Sequence, residues 1–182
     1  LARHHYMRYD LLPGVKVTLR PNSKGRYFQL KLPDYAGGTM KWTCQAANFA
    51  PGADSGLLLQ NAAATATGQT VTFRRVVARQ PASIVIPMTS PYLIVGARLV
   101  GNVSAMTGAS AYLLRFDRGV VPSQEGWEPL GTLSGKVDIN LDSRFANVAH
   151  FGYALKIEVP IGGITLRNLD VLTYLQCAPK AL

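Results

Sequence analysis

The sequence predicts an all-β fold, a two-layer antiparallel β-sandwich of the jelly-roll type, from three observations. Apolar and polar residues alternate strictly over short stretches, Gly/Pro/Asn-rich turn clusters separate those stretches, and amphipathic helical periodicity is nearly missing.

Taken in order, Val15, Val17 and Leu19 alternate with Lys16, Thr18 and Arg20, and Phe28, Leu30 and Leu32 with Gln29 and Lys31. Met40, Trp42 and Cys44 then alternate with Lys41 and Thr43, and Val71 and Phe73 with Thr72 and Arg74. Ser83–Met88 and Tyr92–Val100 are apolar on both faces, as central or doubly covered strands are. Later come Tyr112–Phe116, Val137–Leu141 and Tyr153–Val159, each with a two-residue period. In the last strand region, Ile164 and Leu166 are followed by a phase change at Arg167-Asn168 before Leu169 and Val171, which predicts a β-bulge. Turn clusters fall between these runs at Pro13-Gly14, Pro21–Gly25, Ala36–Gly38, Pro51-Gly52, Gly101-Asn102, Asp117–Gly119 and Gly162-Gly163. Leu57–Thr67 reads equally as a short helix or as a strand plus loop. Pro122–Gly126 and Ser143–His150 are expected to be loops. The strand pattern divides the chain into a basic N-terminal segment, residues 1–38, acting as an arm or extra strands, and a sandwich domain, residues 39–182.

The 182 residues suffice for one domain with a buried core, and a charged fraction of 16% beside 48% hydrophobic residues excludes disorder. No apolar run reaches the length of a membrane span. The chain opens on Leu1, as a processed chain or an excised piece does. Its net charge is +9, concentrated in residues 1–41, which carry eight Lys/Arg against Asp10 and Asp34. Such a region suits an anionic partner, but most of these charges alternate with apolar residues and so belong to wet strand faces. Nucleic acid is a weak expectation on the same grounds: aromatics interleave with bases at Arg3–Tyr9 and Lys24–Phe28, without a dense run or an RNA-binding signature. Cys44 and Cys177 have no metal-type spacing. They are either a disulfide joining the first and last body strands, which would place the chain in an oxidising compartment, or two buried thiols.

Catalytic signatures are missing. His4, His5 and His150 stand without a triad or zinc pattern, and no nucleophile elbow or phosphate loop occurs. Asp138 and Asp142, four apart on one expected strand face, and Asp117/Glu125 are the acidic pairs that a glycosidase would need, with solubilising charge as the plainer explanation. No cofactor is expected. Trp127, after Gly126, lies outside any strand alternation and sits amid Gln124, Glu125 and Glu128. A ring beside polar side chains suits stacking on a sugar, and equally suits capping one end of the sandwich. Tyr92 is a second loop aromatic and Arg115 a further polar contact, giving a candidate ligand site of Trp127, Tyr92, Arg115, Gln124 and Glu125.

Residues 40–177 resemble the galactose-binding-like jelly rolls that include many carbohydrate-binding modules. The likeness is carried by Tyr153–Val159, the turn Pro160–Gly163, the strand Ile164–Val171 with Asp170 before a hydrophobic residue, and Trp127 ahead of Gly135–Leu141. It implies a secreted or phage-borne, non-catalytic module, extracellular or periplasmic, that binds a polysaccharide or cell-surface glycan, with Asp170 the one position matching a calcium ligand. The alternative is a structural jelly roll of a virus or phage particle, a homo-oligomer or larger assembly acting through subunit contacts. That reading rests on the basic first third, the low charge and the abundant Ala, Thr and Gly.

Overall fold

The computed structural model describes residues 11–20, 35–116, 125–146 and 149–179. The alternating stretches form eleven strands: β1 (Lys16–Arg20), β2 (Tyr35–Cys44), β3 (Leu58–Gln60), β4 (Ala62–Thr67), β5 (Thr70–Arg75), β6 (Ser83–Ser104), β7 (Ala109–Phe116), β8 (Glu128–Leu133), β9 (Gly135–Asn140), β10 (His150–Glu158) and β11 (Ile164–Pro179). Every pairing among them is antiparallel. Among the described residues helix is confined to two short 3-10 turns, Ala46–Phe49 and Asp142–Phe145, and no helix is long and apolar enough to cross a membrane.

The architecture is organised by β6, a strand of 22 residues. Its first half pairs with β10 and, along Ser83–Val85, with β3. Its second half pairs with β11 and β9. Pro91, which has no N–H to donate, falls where one set of partners gives way to the other. The result is two four-stranded sets, β6(first half)–β10–β7–β8 and β2–β11–β6(second half)–β9. If the eight segments are numbered in chain order from β2 with β6 counted twice, the sets run 2-7-4-5 and 1-8-3-6. That interlocking order, within one hydrogen-bonded sheet of eleven strands, is the order expected of a jelly roll. Strand β1 extends the second set beyond β2, while β5 takes over from β2 along β11 at Ile164–Arg167, with β4 outside it.

Both sets contribute to one core. Ile84, Ile86, Met88, Leu113, Tyr153, Leu155 and Ile157 from the first pack in one cluster with Met40, Trp42, Ala97, Leu99, Val171 and Leu175 from the second. The Tyr153 and Thr173 hydroxyls, both fully buried, are 2.6 Å apart and tie β10 to β11, which do not pair with each other. Burial raises the Tyr153 phenol well above its ordinary pKa.

The sequence pattern placed most of these strands, and the differences have physical causes. The two apolar runs expected as separate strands are continuous in β6, because Pro91 falls at a position that neither β10 nor β11 pairs, so its missing N–H breaks no ladder bond. Leu57–Thr67 is strand, as β3 and β4. The bulge predicted at Arg167-Asn168 is present: the β11–β6 register slips between Arg167 and Asp170, with Asn168 at φ +49°. β8 is an addition, hidden in the sequence by Pro129 and Gly131. The predicted strand at Phe28–Leu32 lies outside the described residues.

The disulfide expectation is corrected. β2 and β11 are neighbours, but Cys44 pairs with Leu169 while Cys177 lies eight residues further along β11. At about 3.3 Å per residue the two are about 26 Å apart, far beyond disulfide reach. Cys44 is a free, buried thiol whose pKa is pushed up to about 12 by desolvation.

Candidate functional site

The best-defined aromatic site lies on the outer face of the first set. Since Leu113, Tyr153, Leu155 and Ile157 face the core, alternation turns Tyr112, Leu114 and Phe116 of β7 and Ala154 and Lys156 of β10 outward. Val85, Phe116 and Ala154 form a second, small buried cluster there, and half-buried Trp127 packs over it. Gly126 sits at φ +83°, where its Cβ position would touch Leu114 Cδ1 at 3.4 Å, so the chain comes down onto the sheet just before Trp127. Gly152 serves the same cluster: a Cβ there would lie 2.4 Å from the Phe116 ring, which lies against its backbone.

Lys156, directly opposite Tyr112 in the β10–β7 register, holds its Nζ 4.6 Å from the Tyr112 ring centroid and 4.6 Å from that of Trp127. Each contact is worth about 0.5–1 kcal/mol at a partly exposed site. Thus a cation of the chain itself already lies over one face of each ring. A shallow depression adjoins it, lined by Gln60, Arg75, Arg79, Ser83, Lys156 and Glu158.

The expected ligand residues do not assemble around Trp127. Arg115 pairs with Tyr153, a core residue, and so points to the opposite face of β7 from Tyr112. There it forms an ion pair with Glu128 and donates to the Arg144 carbonyl, while Arg144 Nη1 reaches the same Glu128 at 3.2 Å. Tyr92 packs against the main core and donates its backbone N–H to Ser90 Oγ at 2.9 Å. Glu125 is exposed, and Gln124 lies outside the described residues. Tyr112 and Lys156 join the site instead. Their outward direction could be read from alternation, but their opposition depends on register, which no local pattern encodes.

The acidic candidates are engaged elsewhere. Asp138 accepts two bonds of 2.6 Å from Arg98, which hold its carboxyl below its ordinary pKa. Asp142 does not share its strand: β9 ends at Asn140, and Asp142 opens a 3-10 turn with its N–H on Asn140 Oδ1 at 2.7 Å. The expected same-face pair is therefore corrected. Asp170, the one position that the resemblance matches to a calcium ligand, accepts from Thr43 Oγ1 and from Lys41 Nζ, both at 2.7 Å, so its carboxylate is paired with an ammonium of the chain. Among the described residues no cluster of three or more His, Cys, Asp or Glu is arranged to hold a metal. His150 is half-buried beside Phe145, with ring centroids 6.3 Å apart.

No family model matches this sequence, and no curated protein matches it. Among solved structures, the crystal structure of the enzymatically active domain of bacteriophage CBA120 tailspike protein 4 overlays 90% of this chain, at 9% identity and a TM-score of 0.42. The chain spans 19% of that protein's length.

Proposed function

We propose that this chain is a structural jelly-roll subunit of a virus or phage particle and works through contacts between subunits. The strand order 2-7-4-5 against 1-8-3-6 carries the reading, by analogy with a fold that recurs in capsid domains. The strand edges agree with it. Among the described residues, Val17 and Leu19 on β1 and Leu58 and Leu59 on β3 are large exposed apolar side chains on strands that pair on one side. Exposed edges of this kind invite pairing with another chain. Electron microscopy of the purified chain tests the proposal. Regular particles or rings are expected, lost on Val17→Asp with Leu58→Asp. Single monomers across salt and pH would overturn it.

A second reading has one observation in its favour. Two half-buried rings, Tyr112 and Trp127, share Lys156, which also lines the depression that holds Gln60 and Glu158, and rings near polar side chains suit sugar stacking. For this module a ligand must first displace Lys156. Glycan-array binding that vanishes in Trp127→Ala and rises in Lys156→Ala would support it over the subunit reading.

A further inference from the structure

Four of the most exposed apolar side chains of the described residues gather at one end of the sandwich. Met106 is 94% exposed in the β6–β7 turn, Ile161 is 78% exposed in the β10–β11 turn, and Val76 and Val77 are 67% and 47% exposed after β5. The three connections touch. A Cβ on Gly162 would lie 3.5 Å from Met106 Sδ, one on Gly163 would lie 3.2 Å from Arg74 Cγ, and Arg75 Nε donates to Val159 O at 2.8 Å.

These tips are held in place. Asn61, at φ +48°, donates from Nδ2 to the carbonyls of Val77 at 2.9 Å, Gln80 at 3.1 Å and Pro81 at 3.2 Å, and its Oδ1 accepts the Val77 N–H at 2.8 Å. Arg75 Nη1 adds bonds to Gln80 O at 3.1 Å and Ala78 O at 3.3 Å. Two side chains, Asn61 and Arg75, thus clamp the loop and present the valines to solvent on a held backbone. Ordering of that kind lowers the cost of docking.

Charge identifies the partner. Arg74 and Arg79 are exposed on the same connections, and Arg167 and Lys136 flank Asn102 just inside the end, with Glu158 in the adjoining depression. We propose that this end docks on an anionic lipid surface, with Met106, Ile161, Val76 and Val77 entering the acyl boundary and the arginines contacting headgroup phosphates. Separate protruding aliphatic tips suit a deformable apolar phase better than a flat rigid partner. A second copy of the same end would bring like charges together. Nucleic acid would gain nothing from tips that carry no aromatic ring. The proposal stands apart from the subunit reading.

Co-flotation with vesicles of phosphatidylglycerol and phosphatidylcholine, against phosphatidylcholine alone, tests it. Binding to the anionic vesicles is expected, reduced about tenfold or more in Met106→Ser/Ile161→Ser and several-fold in Arg74→Gln/Arg79→Gln. A Met106→Trp variant should gain blue-shifted emission over the parent on those vesicles, quenched by brominated acyl chains. Absence of binding overturns the proposal. So does binding that the serine pair leaves unchanged, which would mean surface charge alone. A serine pair that alters solution mass without affecting flotation overturns it in favour of a second copy, and preferential binding of an RNA oligonucleotide does so in favour of nucleic acid. Failure of flotation leaves particle formation by the same preparation untouched, so the two readings fail separately.

Discussion

The outer faces of the two strand sets are handled in opposite ways. On the β10–β7 side the chain returns over its own sheet, and Trp127 closes a small apolar cluster of Val85, Phe116 and Ala154. On the β2–β11–β6–β9 side the outward residues are held by ion pairs in water, Lys41 with Asp170 and Arg98 with Asp138. One face is therefore a minor second core, the other a wet surface. Sequence alternation alone reports the second kind faithfully and misreports the first, because a covered outer face needs apolar residues where the pattern predicts polar ones.

Perturbing each side should expose that difference. Trp127→Ala removes the lid of the covered face and is expected to cost about 2–3 kcal/mol of unfolding free energy, below a fully buried Trp because the ring is half open. Denaturant unfolding measures it; a loss under half a kcal/mol would mean the cluster is no core. Tyr153→Phe, between the two sets, leaves the buried Thr173 hydroxyl without its partner and should cost about 1–2 kcal/mol in the same experiment.

Cys44 gives a pH signature from the inner face of the wet-faced set. Its thiol is raised from an ordinary value of 9.0 to about 12, so the unfolded chain loses its proton first. Stability from this group is intact below pH 9 and falls between pH 9 and about 12, by up to about 1.4 kcal/mol per unit. Cys44→Ala should flatten that part of the profile at some cost in packing, and an unchanged slope would place the alkaline loss elsewhere. Arg98→Ala should matter least, since its pair with Asp138 is open to solvent. The sign is opposite: Asp138, held below 3.8 by Arg98, adds stability above that value which is lost as the pH falls through its lowered pKa. A thermal midpoint that moves by more than a degree or two at neutral pH would show that the wet face is more tightly coupled than described.

Much of the fold was legible because a jelly roll is built from half-wet strands, where alternation is the physical requirement for burial on one side. The bulge at Arg167-Asn168 could be read from a phase change in that alternation. The joining of two apolar runs in β6 could not, since continuity through Pro91 depends on which partners take over. The candidate site was less legible for the same reason. Trp127 stood out as the ring that no strand explained, and it does cover an outer face, but its companions were misassigned. Arg115 faces the other way, Tyr92 packs against the main core, and Lys156, which meets Trp127, is set opposite Tyr112 by register. The cysteines repeat the lesson: β2 and β11 are adjacent, and their register sets positions 44 and 177 far apart.

On the proposed reading, exposed edges and not an open ring carry the function. Light scattering on the purified chain at neutral pH and moderate salt tests it most directly. The expected mass is many times the 19.7 kDa of one chain, falling to that of the monomer in Val17→Asp/Leu58→Asp and unaffected by Lys156→Ala. A monomer at every concentration, with glycan binding that depends on Trp127, would contradict it.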